Sequence, residues 1–163
     1  MHQHSHALRR RSLFAAAAAL ALPAWATSPA ALSAEEPLVE VWKSPSCGCC
    51  GDWIKYLQAN GFRVKVNEVD NTAPMRKRVG FDAKFGSCHT ATVGGYALEG
   101  HVPAREVKRL LAEKPRGVVG IAVPGMPVGS PGMDGPAYGG KKDPYDVVLV
   151  KRDGSAAVYQ SYR

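Results

Sequence analysis

The sequence is poor in cysteine, in aromatic residues and, near its start, in acidic residues. Its 163 residues include 4 Cys and 8% aromatic residues, and no acidic residue precedes Glu35. So few cysteines exclude a small scaffold built on disulfides, while a hydrophobic content of 45% excludes an intrinsically disordered chain. No apolar run after residue 26 is long enough to cross a bilayer. The length favours one globular domain.

Residues 1–26 have the pattern of a secretory signal peptide. Residues 1–11 are polar and basic, residues 13–22 form an Ala-rich apolar run, and Ala24-Trp25-Ala26 is a small-x-small cleavage site. The run Arg9-Arg10-Arg11 fits either a twin-arginine signal or an ordinary secretory one. The pattern therefore predicts export, to a bacterial periplasm, where disulfides persist.

Removal of this segment lowers the net charge of the chain, and this bears on whether the chain binds nucleic acid. The three arginines in it account for the difference between a net charge of +7 and one of +4. The remaining basic residues are scattered and are not interleaved with aromatic residues, so we expect no nucleic-acid partner. His2, His4 and His6 resemble a metal tract, but they lie in the segment to be removed and receive no role.

The mature chain reads as a flexible linker, residues 27–37, followed by one domain, residues 38–163. Hydrophobic periodicity predicts a strand–helix–strand unit with the cysteine cluster at its first turn, then a helix, two strands and an amphipathic helix. This is an α/β fold with a thioredoxin-like β-α-β-α-β-β-α core. Residues 116–143 read as a long loop, and residues 146–151 and 155–162 as an appended C-terminal β-hairpin.

The motif Cys47-Gly48-Cys49-Cys50 carries the strongest chemical signal. Cys47 would lie at a helix N-terminus, which favours the thiolate, and Cys50 is close enough to it in sequence for a disulfide. A redox pair needs only two thiols, so the third thiol, Cys49, argues for a metal. Cys88 directly precedes the third strand, which should begin where the first strand ends, so we expect four thiols to converge.

Four further residues carry nitrogen or thioether donors that could bind a metal together with the cysteines. His89 adjoins Cys88, His101 follows the fourth strand, and Met126 and Met133 occur in two Pro-Gly-Met copies. Thiolates with thioethers select Cu(I), whereas a Cys₄ or Cys₃His set also suits Zn²⁺. Each residue also has a structural alternative: a structural Cys47–Cys50 disulfide, a buried apolar Cys88, a His89 that points away, a His101 that orients the last helix, and methionines that fill gaps.

Four stretches, residues 43–50, 87–91, 95–103 and 123–133, together resemble one family. It is the exported, thioredoxin-like, metal-binding family long catalogued as a domain of unknown function, whose named members are the CopG copper-resistance proteins. The resemblance covers Leu38 to Tyr159. It implies copper handling, with Cys47, Cys49, Cys50 and Cys88 as the metal and redox residues, and it leaves open whether the members are enzymes.

These observations support three hypotheses. The first is a periplasmic Cu(I)-binding protein of copper tolerance, whose partners are copper ions and other periplasmic copper-handling proteins and whose thiol oxidation expels the metal. The second is a thiol–disulfide oxidoreductase with Cys47 and Cys50 as its catalytic pair, although residues 88–91 lack the proline that usually lies beside such a site. The third is a structural zinc module.

Overall fold

The computed structural model describes residues 35–163. The predicted signal peptide, and residues 27–34 of the predicted linker, lie outside the described residues. The fold is mixed α/β, as predicted, and residues 35–163 form one seven-stranded sheet and three α-helices. The elements in chain order are β1 (Leu38–Lys43), α1 (Gly48–Ala59), β2 (Arg63–Glu68), α2 (Ala73–Arg78), β3 (His89–Val93), β4 (Tyr96–Glu99), α3 (Ala104–Glu113), β5 (Val118–Ala122), β6 (Tyr145–Lys151) and β7 (Ala156–Tyr162).

The sheet has the strand order β2-β1-β3-β4-β5-β6-β7. β1 and β2 are parallel, as a helical crossover requires, and β4 and β5 are parallel as well. β3 runs antiparallel to both β1 and β4. In this register Lys43 at the end of β1 lies opposite His89 at the start of β3, and Glu99 at the end of β4 lies opposite Ala122 at the end of β5. The ends of β1, β4 and β5 and the start of β3 therefore lie along the same edge of the sheet.

The core is divided between the two faces of the sheet. Trp53, Ile54 and Leu57 fall at helical spacing in α1 and pack with Leu98 and Ile121 in the larger cluster. The neighbouring strand residues Ala97 and Ala122 point the other way and pack with Phe81, Phe85 and Val150. Val107 and Leu110 of α3 complete the larger cluster.

The expectation of one long loop over residues 116–143 was wrong in its first part. Val118–Ala122 forms β5, which lies between β4 and β6 and joins the C-terminal hairpin to the main sheet. The run is apolar and short, as in a strand buried on both faces, but Gly120 at its centre weakens the signal. The fold needs this glycine, because a Cβ at Gly120 would clash with the carbonyl oxygen of Ala97.

Within residues 35–163, no helix has both the length and the apolar character that a membrane crossing requires.

Candidate metal and thiol site

Three of the cysteines lie on the first turn of α1. Cys47 is the N-cap residue, and Cys49 and Cys50 belong to the helix itself. Cys47 and Cys50 form a disulfide with their Cα atoms 5.4 Å apart, while Cys49 and Cys88 are free and half-buried. The helix carries no side-chain cap and no acidic residue in its first turn. Its free N–H groups and its dipole therefore favour negative charge at the sulfurs.

Cys88 reaches this helix end from the loop that precedes β3. The four Sγ atoms all lie within 4.8 Å of one another, and Sγ of Cys49 lies 3.6 Å from that of Cys47. Sγ of Cys50 lies 3.9 Å from the carbonyl oxygen of Cys88. The predicted convergence of four cysteine sulfurs is therefore present in the fold. In the structure as it stands two of them are tied in a disulfide, so a four-thiolate site requires the reduced form.

Two buried histidines extend the cluster on the other side of Cys88. Sγ of Cys88 lies 3.3 Å from Nδ1 of His89 and 3.1 Å from Nε2 of His101. These three side chains form a second group whose donor atoms lie within 4.8 Å of one another, and both imidazoles are fully buried. Both histidines therefore face the cysteines, contrary to the alternative in which His89 points away.

The tautomer of His101 follows from its second contact. Nδ1 of His101 is 2.8 Å from the carbonyl oxygen of Pro131, which can only accept, so Nδ1 carries the proton. The lone pair of Nε2 then faces Cys88. Metal-binding histidines are commonly oriented in this way, by a hydrogen bond from the second ring nitrogen to a carbonyl.

Burial favours the uncharged forms of His89, His101 and Cys88. It lowers the pKa of His89 to about 3, with smaller contributions from the nearby His101 and Lys43. Burial also lowers the pKa of His101 and raises that of the Cys88 thiol to about 12. Nε2 of His89 has no hydrogen-bond partner within the described residues, although it is buried. The nitrogen of His89 that faces the Cys88 thiol is the other one, Nδ1.

Both Pro-Gly-Met copies contact segments that carry site residues. In the first copy, the N–H of Gly125 donates to the carbonyl of Gly86, and the Ser87 hydroxyl donates to the carbonyl of Gly125. In the second copy, Pro131 accepts the hydrogen bond from His101, and Gly132 lies so close to α1 that a Cβ there would be 2.7 Å from the carbonyl oxygen of Cys49. The loop of residues 124–133 is therefore packed against the segments that carry Cys49, Cys88 and His101.

The two methionines lie in different surroundings. Met126 is 53% exposed and lines a surface cavity of about 800 Å³ together with Pro124, Pro127 and Tyr145. Met133 is buried, and its sulfur accepts a hydrogen bond of 3.2 Å from the Tyr138 hydroxyl.

The chain as a whole is similar to solved structures named copper resistance proteins. The family model described as a protein of unknown function, DUF411, matches residues 85–133. A solved structure named "Copper resistance protein copG- Form 2" is 43% identical, with a TM-score of 0.73, and the match covers 79% of this chain and 100% of that one. For Form 1 of the same protein the identity is 44%, the TM-score 0.71 and the coverage 78% and 98%. The chain belongs to the CopG-like family. No curated protein matches it.

This CopG-like chain also contains a buried clamp, which the sequence did not suggest. Glu99 is fully buried, and its carboxylate accepts hydrogen bonds from Nε of Arg76 at 2.7 Å, from the N–H of Ser87 at 2.8 Å and from the Thr90 hydroxyl at 2.6 Å. Nη2 of Arg76 donates to the carbonyl of Ser87 at 2.8 Å. Both main-chain polar groups of Ser87 are held, and this fixes the position of the next residue, Cys88.

Three further residues next to the CopG-like site were missed. The ring of Trp53 packs on that of His89 with centroids 4.2 Å apart, and its Nε1 donates to the carbonyl of Val102. Tyr138 lies near Cys49 and Cys88, and its pKa is raised by burial and by those thiols. Lys43 is almost fully buried beside His89. Lys43 ends a strand that also holds Glu40, and Tyr138 lies in a Gly- and Pro-rich stretch, so neither position carries a signal in the sequence.

Proposed function

We propose that this chain is an exported Cu(I)-binding protein of copper tolerance with a thioredoxin-like core. Cys47, Cys49, Cys50 and Cys88 hold Cu(I) as bridging thiolates once the Cys47–Cys50 disulfide is reduced. The observation that carries this proposal is the convergence of four sulfurs within 4.8 Å at one helix end. Thiolates are soft donors and select Cu(I). The relatives named copper resistance proteins support the same metal.

In this proposal, histidine nitrogens and methionine thioethers are additional ligands beside the four sulfurs. His101 is the best oriented, since the carbonyl of Pro131 holds its Nδ1 proton and frees Nε2 toward Cys88. His89 contributes through Nδ1, which lies 3.3 Å from Sγ of Cys88. Met133, next to Tyr138, is a further ligand in this proposal, and Met126, which lines a surface cavity, would join only after its exposed side chain turns toward the cysteines. The histidines are neutral because of burial, so they can donate to a metal without first losing a proton.

The proposed export and the proposed thioredoxin-like core are supported by different observations. The basic, apolar and small-x-small order of residues 1–26 favours export to the periplasm. The parallel β1-α1-β2 unit with its cysteines at the start of α1 favours a thioredoxin-like core. In an oxidising compartment the disulfide and the metal compete for the same sulfurs, so oxidation of the thiols would release copper.

The binding proposal is tested by native mass spectrometry of the reduced chain, titrated with Cu(I) and, separately, with Zn²⁺. We expect Cu(I) to be bound and retained when an equal concentration of Zn²⁺ is added, because thiolates dominate the donor set. A variant with serine at all four cysteine positions is the control and should bind neither ion tightly. Displacement of Cu(I) by equal Zn²⁺ would contradict the copper assignment and favour a zinc module.

A second function, thiol–disulfide exchange with other proteins, is favoured by one observation. The disulfide spans the first turn of α1 with Cys47 half-exposed and Cys50 fully buried, so only one sulfur is open to attack. Here Cys47 and Cys50 would be the catalytic pair. The test is reduction of a disulfide-bonded protein with glutathione as the electron source. Cys49→Ser should keep this turnover, whereas Cys47→Ser should abolish it.

A further inference from the structure

Two free thiols lie beside an existing disulfide in this site. Cys49 and Cys88 are both half-buried and free, and their Sγ atoms lie within 4.8 Å of each other and of both disulfide sulfurs. A disulfide closes when two sulfurs approach to about 2.05 Å, so the movement required is no more than about 3 Å. Rotation about χ1 of either side chain can supply a shift of that size.

We propose that Cys49 and Cys88 form a second redox pair, so that the reduced chain transfers four electrons to Cu(II) and ends with two disulfides. This inference rests on the proposed copper function and concerns the same site. For each disulfide, two thiols lose two protons and two electrons, one sulfur–sulfur bond forms, and two Cu(II) ions become two Cu(I) ions. Four thiols therefore reduce four Cu(II) ions and release four protons.

The geometry favours this pairing over the alternatives. The disulfide between Cys47 and Cys50 already occupies the Cys47 sulfur, which lies 3.6 Å from that of Cys49. Closure between the adjacent residues Cys49 and Cys50 would strain their shared peptide. Of the four cysteines, only Cys88 is then left to pair with Cys49, and it arrives on a different loop, which the hydrogen bonds to Ser87 hold in place.

A hydrogen-bond acceptor lies next to one member of the pair. Nε2 of His101 lies 3.1 Å from Sγ of Cys88, and its lone pair is free because Nδ1 donates to Pro131. Cys88 is itself half-buried, so the proton that its oxidation releases can leave to solvent. Cys49 is half-exposed, and its proton can leave to solvent directly.

The test counts electrons. The purified, fully reduced chain is mixed anaerobically with excess Cu(II) and a chelator that reports Cu(I). We expect about four Cu(I) per wild-type chain and about two for Cys49→Ser, for Cys88→Ser and for the double variant, because loss of either member disables the pair. Ferricyanide, a one-electron oxidant without copper, should give the same counts. The mass of the oxidised wild type should fall by four hydrogens and that of the variants by two.

Two outcomes separate this inference from the function on which it rests. A wild type that yields two Cu(I), loses two hydrogens and leaves Cys49 and Cys88 open to alkylation overturns the second pair, even if Cu(I) binding is intact. A chain that binds no Cu(I) but loses four hydrogens to ferricyanide overturns the copper function and supports the second pair.

Discussion

The buried pair Arg76–Glu99 offers a sharp test of how the Cys88 loop is held. Glu99 is fully buried, and Arg76, whose side chain is 12% exposed, is the cation in contact with it. Burial raises the pKa of Glu99 above its ordinary value, against the opposing effect of its hydrogen bonds and of Arg76. The substitution Arg76→Met removes the cation and the donor to the Ser87 carbonyl, while it keeps much of the apolar stem.

The magnitude follows from the protonation of the stranded carboxylate. Without Arg76 the pKa of Glu99 in the fold rises further, and the side chain takes up a proton rather than remain a buried unpaired charge. An ordinary glutamate has a pKa of about 4.3, so protonating it costs about 4 kcal/mol at pH 7 and about 1 kcal/mol at pH 5. These figures are upper bounds on the electrostatic part of the loss.

The sign of the pH dependence is therefore fixed. A carboxyl group with a raised pKa in the fold stabilises the protein fully only below its unfolded pKa, and this contribution is lost as the pH rises toward the folded pKa. We expect Arg76→Met to lower the free energy of unfolding relative to wild type by up to about 4 kcal/mol at pH 7 and by much less at pH 5.

Urea unfolding of the metal-free chain at the two pH values measures this difference. The double variant Arg76→Met/Glu99→Gln is the matched control, because it removes both charges and should lose less stability than Arg76→Met at pH 7, with little pH dependence. Equal destabilisation of Arg76→Met at pH 5 and pH 7, or a double variant less stable than the single one, would refute the assignment of Glu99 as a buried partner of Arg76.

Three further outcomes are expected. Gly132→Ala should lower the free energy of unfolding by at least about 1–2 kcal/mol, since Gly132 has φ +83° and a Cβ there meets the backbone of α1. The control is Gly135→Ala, which should change the free energy of unfolding little, because Gly135 has φ −71° and open space around it. Chemical denaturation compares the two variants. Cys88→Ser should weaken Cu(I) binding nearly as much as Cys49→Ser at little cost in stability, and lost stability with unchanged copper binding would remove Cys88 from the site. Met133→Leu should lower Cu(I) affinity in a competition titration at a cost of less than about 1.5 kcal/mol in stability, and unchanged affinity would exclude its sulfur as a ligand.

The part of the site built on local pattern was predictable from sequence. The apolar spacing of Trp53, Ile54 and Leu57 marks α1, and its start at the cysteine cluster follows from the preceding turn. The position of Cys88 was also accessible, because it depends only on β3 running antiparallel to β1. Helical periodicity is enough to place the side chains of α1, and the antiparallel pairing of β1 with β3 is enough to place Cys88.

The clamp on Ser87 was not predictable from the sequence, because the role of Arg76 and Glu99 depends on contacts that exist only in the folded chain. Glu99 ends a strand and Arg76 lies in a short basic helix, positions at which charged residues are usually solvated. Only the folded chain shows that Glu99 is fully buried and bonded to three donors. The order of its partners, 76, 87 and 90, follows no local period.

Because β5 was not recognised in the sequence, the path by which residues 124–133, with Met126 and Met133, reach the cysteines could not be predicted. β5 pairs parallel to β4, so the two strands end at the same edge of the sheet, with Ala122 opposite Glu99. That edge already holds the end of β1, which leads to the α1 cysteines, and the start of β3, which follows Cys88. The chain that leaves β5 must therefore begin beside the cysteines, and residues 124–133 have only a short distance to cover before Pro131 meets His101. Had β5 paired antiparallel to β4, the same residues would have emerged at the opposite edge, far from every site residue.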